Sequence, residues 1–256
     1  MSVDVPEQAG VAPRQYSRAA VLAVWAAAAV PMGLLAWVVA PALAGSGSGD
    51  RHTIPALVAA LTAGLVWQCV LVVVLVAVEQ RSLRWRVVRE ALWLRAPTDT
   101  AGRRGGRMWW WVPVFVAGYA VLQLLPLGFP APAGHDLNAL LTSPGGREVL
   151  SGNWGLFALV VVMLLFTTVL GEELLFRGLL LPRMRGAFGR ADWIVNGILT
   201  GLYHLHQPWS IPRSLLAHTL LFAYPTRRFR SAWLGIAVHS ASSVVIAALF
   251  LTLVLR

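Results

Sequence analysis

Long apolar stretches alternate with short polar, arginine-bearing segments along the 256 residues. Several stretches reach the ~20 residues that carry a helix across a bilayer. The shorter alternating segments of a membrane barrel are absent. The pattern predicts an all-α, polytopic transmembrane helical bundle of about seven spans, near residues 18–43, 54–78, 108–127, 153–181, 193–206, 214–224 and 232–255. The fifth and sixth are short, as suits tilted or buried helices. Residues 1–17 are polar and contain proline, and read as a mobile cytoplasmic tail. The first apolar run is too long for a signal-peptide core and reads as a retained span, bent at Pro31. Residues 45–50 read as a glycine-serine turn, and residues 79–107 as a basic connection that begins with an interfacial helix. The chain divides into spans 1–3 with that connection (18–152) and spans 4–7 (153–256).

Charge gives the bundle a direction. Only 12% of residues are charged and 57% are hydrophobic, where a soluble domain carries about 25% charged. All 21 basic side chains are arginine, and the net charge is +10. A basic chain of this kind raises the question of nucleic acid, but the positions answer it. Sixteen arginines fall in the tail, in 79–107, after span 4 and after span 6. Four, Arg51, Arg147, Arg213 and Arg256, fall at the opposite span ends, and Arg177 lies inside span 4. That asymmetry places the N-terminus in the cytoplasm and the C-terminus outside. The partner it implies is anionic membrane lipid rather than nucleic acid. Six tryptophans at span ends, Trp109, Trp110, Trp111, Trp154, Trp193 and Trp233, suit the interface. Cys69 stands alone in an apolar run, which excludes a disulfide framework or a cysteine metal site. The absence of lysine fits a GC-rich bacterial genome, and with it the bacterial cytoplasmic membrane.

The candidate chemistry sits in span 4. Glu172 and Glu173 follow a long apolar run, and an ionised group at the bilayer centre costs about 3 kcal/mol or more. Such groups usually face a bundle interior or a wet cavity. Arg177 is four residues beyond Glu173, so the two can pair on one helix face, leaving Glu172 about 100° away. Counted inward from the arginine-rich ends at ~1.5 Å per residue, Glu172, His204 and His239 lie about 14, 17 and 12 Å deep. Three ionisable groups on three helices therefore share one level. They predict a hydrated pocket below the cytoplasmic leaflet. His239 and Ser243 share a face at i,i+4. His206 and His218 read as packing or supporting residues, and His52 and His135 as incidental loop residues.

These residues resemble the CPBP family of intramembrane proteases, the CAAX prenyl protease 2 or lysostaphin resistance protein A-like group. The family's Glu-Glu-x-x-x-Arg motif is met by Glu172, Glu173 and Arg177. Its Phe-x-x-x-His motif keeps His204 but has Thr200 in place of Phe, and its His-x-x-x-Asn/Asp motif keeps His239 but ends in Ser243. The likeness covers about residues 150–245 and makes 153–256 the protease-like core.

The resemblance implies an endopeptidase acting on a hydrophobic or lipidated peptide, of the prenylated CAAX type in eukaryotic members. Glu172 and His204 would hold and deprotonate a water. Glu173 would pair with Arg177, and His239 with Ser243 would face the oxyanion. A metal-free glutamate mechanism, with no cofactor, is what the resemblance favours. Zinc held by Glu172, His204 and His239 is the alternative, since one Glu and two His form a known ligand set; no His-Glu-x-x-His helix is present. The departures at Thr200 and Ser243 keep open a catalytically silent scaffold or bacteriocin-immunity protein. A proton-coupled transporter would use the same acids, although no internal repeat is visible.

Overall fold

The computed structural model describes residues 13–45, 49–132 and 134–256. Residues 1–12 of the expected tail and 46–48 of the expected turn lie outside them. Among the described residues the fold is all-helical, with a single isolated β-bridge between Thr98 and Arg104. In chain order the helices are α1 (Arg18–Ala44), α2 (Asp50–Gln80), α3 (Trp85–Ala91), α4 (Trp111–Leu124), α5 (Leu137–Thr142), α6 (Pro144–Leu150), α7 (Trp154–Arg183), α8 (Asp192–Tyr203), α9 (residues 211–229) and α10 (Ala232–Val254). Among the described residues four of these, α1, α2, α7 and α10, are long and apolar enough to cross a membrane. α4 and α8, with 14 and 12 residues, are too short to cross ~30 Å of hydrocarbon alone. α9 is longer than the expected span 6.

Local chemistry explains the helix starts and the passage through proline. Ser17 caps α1 by accepting from the Ala20 amide at 3.2 Å, and Asn153 caps α7 by accepting from Leu156 at 3.0 Å. Pro31 lies inside α1 without ending it. A proline cannot donate to the carbonyl four residues back, here that of Ala27. Trp67 Nε1 on α2 supplies the missing donor at 2.8 Å. A wide π turn follows at Leu35–Val39.

α8 and α9 approach to backbone contact. Gly197 and Gly201 lie one turn apart on α8. A Cβ at Gly197 would meet Thr219 Cα at 2.4 Å, and one at Gly201 would meet Leu215 Cα at 2.9 Å. Small residues spaced four apart are how helices close together where apolar burial alone does not drive association.

The helix ends define two faces. At one, Tyr16 N donates to Arg183 O at 2.9 Å, Thr98 N to Phe229 O at 2.8 Å and Ala232 N to Trp93 O at 2.9 Å. At the other, Phe129 N donates to Trp209 O at 3.1 Å and Gly152 N to Val254 O at 3.0 Å. The first face carries the arginine-rich segments. Not all of those arginines are free loop charges. Arg183 is fully buried, with Nε and Nη2 at 2.9 and 2.8 Å from Glu79 Oε2 and Nη1 on the Ala91 and Leu179 carbonyls. Tyr16 donates to the other Glu79 oxygen. Burial and the Glu79 carboxylate beside it push the Tyr16 hydroxyl above its ordinary range.

Candidate functional site

The Glu pair sits where α7 is least regular. π turns at Phe166–Leu170 and Leu174–Leu180 flank Gly171, Glu172 and Glu173. Gly171 has φ −101° and ψ −87°, outside the helical region. A Cβ there would meet Leu65 O and Phe166 O at 2.8 Å, so only glycine lets α2 pass this close. π bulges leave carbonyls out of register and are common at functional sites. Asn196 Nδ2 on α8 donates to Phe176 O in the second π turn at 2.8 Å. This irregular turn presents Glu172, 2% exposed, and Glu173, fully buried, to different neighbours.

Glu173 pairs as its spacing predicted. Its Oε2 is 3.6 Å from Arg177 Nε, and both side chains are wholly buried. Its Oε1 is 3.1 Å from His239 Nδ1. Arg177 reaches further: Nη1 donates to Thr200 Oγ1 at 3.1 Å, and Nη2 lies 2.8 Å from His218 Nδ1. Thr200 in turn donates to Asn196 O at 2.8 Å. The residue that departs from the Phe of the family motif is therefore part of the Arg177 cradle. Gly235 on α10 makes room for the pair, since a Cβ there would lie 2.7 Å from Glu173 Oε2 and 3.3 Å from Arg177 Cγ.

Glu172 faces imidazoles. His218 Nε2 is 3.6 Å from its Oε1, an oxygen that is buried without a hydrogen-bond partner. His218, expected to be a supporting or packing residue, thus stands beside Glu172. The ring hydrogens follow from the partners. A guanidinium has no acceptor, so His218 Nδ1 accepts from Arg177 and the ring hydrogen is on Nε2, toward Glu172. His204 Nδ1 is 2.9 Å from the Thr200 carbonyl, which only accepts, so this nitrogen donates and Nε2 keeps its lone pair. His239 donates through Nδ1 to Glu173. α8 ends at Tyr203, and His204 and His206 form a tight turn with their rings stacked at 5.4 Å. His206 remains a packing residue against Tyr203. His204 and His218 approach to 5.0 Å between ring centres, as the contact of α8 with α9 dictates.

Two cavities meet at Glu172, His204 and His239. The larger, about 340 Å³, includes His218; the smaller, about 190 Å³, includes Ser243. Ser243 is 9% exposed, and its neighbour Ser242 donates to His239 O at 2.7 Å. His218 and Ser243 thus line different sides of the acid. The larger cavity is walled by Gly128, Phe129, Asp136, Trp209 and Arg213, which lie at the arginine-poor ends of the helices. The larger cavity extends from the acid toward those ends, where the loop after α4 meets the segment leading into α9 through the Phe129–Trp209 backbone bond.

Glu172, His204 and His218 bring one donor atom each to within 4.8 Å of one another, a spacing that could hold a metal ion. So do Glu172, Glu173 and His239. The zinc set expected from the sequence is not among them: His239 stands with Glu173, and His218 takes its place beside His204. As bonded, the first set fits a metal poorly. His218 spends its Nδ1 lone pair on Arg177 and carries hydrogen on Nε2, so only Glu172 and His204 have lone pairs to give.

The site sets a buried carboxylate on α7 against imidazoles from the turn after α8 and from α9 and α10 in an all-helical, membrane-type bundle. Residues 153–245 match the family described as type II CAAX prenyl endopeptidase, Rce1-like, which is consistent with a CPBP-family protease. No curated protein and no solved structure matches the chain. The four apolar helices and the membrane-protease match mark it as a membrane protein.

Proposed function

We propose that the chain is an intramembrane endopeptidase that cleaves a hydrophobic or lipidated peptide by a water activated at Glu172. The observation that carries this reading is the orphaned Glu172 Oε1, buried and turned to a cavity shared with His204 and His239. A water between Glu172 and the free Nε2 of His204 would give its two hydrogens to two acceptors and keep an oxygen lone pair for the scissile carbonyl. Glu172 takes the proton as general base and returns it to the leaving amine. His239 donates to the oxyanion through Nε2 only as imidazolium, a charge that Glu173 at 3.1 Å offsets. Ser243 can add a donor from the smaller cavity. Glu173 and Arg177 hold the geometry without touching the peptide.

The ring-nitrogen assignment favours the metal-free form of this chemistry. The Rce1-like match favours a peptidase over a carrier and makes a prenylated CAAX-type peptide the first substrate to try. The setting is a multi-pass protein of the bacterial cytoplasmic membrane, in about seven spans. The test is cleavage of prenylated and unmodified hydrophobic peptides by purified protein in liposomes, with and without chelator. Cleavage that survives chelator and is lost in Glu172→Gln, with the thermal melt unchanged, is the expected result. A Glu172→Gln protein as active as the parent ends the proposal.

A further inference from the structure

At the arginine-rich helix ends five guanidiniums surround one basin with too few acids to balance them. The basin holds about 550 Å³, and its charged walls are Arg95, Arg104, Arg185, Arg227 and Arg230 with Glu90 and Asp192. Both acids are already engaged. Asp192 is buried, and its Oδ2 accepts from Arg227 Nε at 2.7 Å. Glu90 is shared at long range, 3.5 Å from Arg95 and 3.6 Å from Arg89. Among the described residues Arg104, Arg185 and Arg230 pair with no carboxylate. Arg95 registers the imbalance. Burial holds its guanidinium below the ordinary value; Glu90 opposes this, and the charges of Arg104 and Arg230 add to it. Its Nε donates to Arg230 O at 3.1 Å, and the Trp93 ring lies 5.7 Å from its Cζ. Trp93 and Arg230 have φ of +51° and +50°, left-handed backbone that is uncommon away from glycine and collects at ligand sites.

The basin lies at the level of lipid headgroups. The loop that carries Arg104 runs into Trp109, Trp110 and Trp111, all exposed, and a Cβ at Gly105 would sit 3.9 Å from Trp109 Nε1. Exposed tryptophans at a helix end mark the membrane–water interface. We infer that this basin binds the phosphate of an anionic phospholipid, the counter-charge that Arg104, Arg185 and Arg230 lack. Guanidinium forks suit phosphate oxygens taken in pairs. A zwitterionic headgroup would bring its own cation to a wall of five arginines against two acids. The basin draws on the 79–107 connection, the end of α7 at Leu181 and Pro182, the start of α8 and the turn from α9 to α10. A lipid held there joins all four, so its binding should stabilise the fold. The inference is independent of the protease reading, since a catalytically silent protein would hold the same lipid.

The test uses the full chain, purified in detergent and stripped of lipid. Phosphatidylglycerol, phosphatidylcholine or inorganic phosphate is added at one ionic strength. The thermal midpoint and the lipid retained in native mass spectrometry are read. The double variant Arg104→Gln, Arg185→Gln removes two charges from the basin. The double variant Arg84→Gln, Arg86→Gln removes two from the same face outside it. All four side chains are exposed, so the lipid-free midpoints should match that of the parent. Phosphatidylglycerol should raise the midpoint of the parent and of the Arg84, Arg86 variant by several degrees, and that of the Arg104, Arg185 variant far less. Lipid retention should follow the same order, and phosphatidylcholine should raise no midpoint. Equal shifts in the two double variants would mean diffuse charge rather than a site, and overturn the inference. So would a parent that responds equally to phosphatidylcholine. Inorganic phosphate that reproduces the whole shift would put a soluble anion in the basin and remove the lipid from it.

Discussion

Arg177 Nη2 lies 2.8 Å from His218 Nδ1, and that one contact decides what the other edge of the ring can do. Nδ1 must accept, so Nε2–H is a donor aimed at Glu172 Oε1, 3.6 Å away. The distance leaves a direct bond unmade and suits a donor that tightens on a water or a developing oxyanion. Apo catalytic contacts are often long in this way.

His218 should therefore matter to turnover and little to binding. His218→Ala is expected to lower kcat by roughly 100-fold, the scale of losing one preorganised donor, with KM nearly unchanged. His218→Gln, whose amide nitrogen can reach the Nε2 position, should recover part of the loss. Steady-state kinetics with thermal melts checks this. Equal losses in both variants, tracking a lowered Tm, would mean that the ring only packs.

Arg177 and Glu173 form a pair with both side chains wholly buried. Removing one partner strands the other charge in a low-dielectric interior. Arg177→Ala is expected to destabilise by about 3–5 kcal/mol. The double variant Glu173→Leu, Arg177→Met should melt higher than Arg177→Ala while remaining inactive. Arg177→Lys should also lose most activity, since an ammonium cannot serve Thr200, His218 and Glu173 as the fork does. Thermal unfolding of the three variants in detergent is the measurement.

Gly235 gives a sharper test of how closely α10 must approach. Its missing Cβ would fall 2.7 Å from Glu173 Oε2. Gly235→Ala is expected to cost about 1–3 kcal/mol by overpacking. Because the displaced atom is the carboxylate that orients His239, activity should fall further than stability. Activity compared with melting temperature separates the two effects.

Much of the site was legible in the sequence because membrane burial makes charge expensive. Glu172, Glu173 and Arg177 stand out by cost and by i,i+4 spacing, and His204 and His239 by depth. His218 was not, although it lies about nine residues from Arg227 and so shares the ~14 Å level. It sits in the π turn Ala217–Ala223, where a 3.6-residue period misplaces side chains. Thr200 read as a departure from a motif, whereas its hydroxyl is spent on Arg177. The reach of the larger cavity was illegible because it depends on how the loop after α4 meets Trp209, a non-local backbone contact without a sequence period. The helical class followed from run length; α4 and α8 came out shorter than the apolar runs suggested, since their ends unwind into tight turns.

The anchor at the arginine-rich face supports the site from a distance. Arg183 is buried with Glu79 as its acid partner, and Tyr16 closes over the same carboxylate. Glu79→Ala leaves the guanidinium with two carbonyls and no counter-charge, an expected loss of about 3–5 kcal/mol. Glu79→Gln keeps an acceptor oxygen and should lose less. Arg183 caps the end of α7, whose π turns carry the Glu pair, so the damage should be to stability and to the N-terminal segment first. Limited proteolysis near Tyr16 should speed up in Glu79→Ala, and activity per folded molecule should stay close to that of the parent. A fall in kcat without a fall in Tm would instead mean that this cluster sets the position of Glu172 directly.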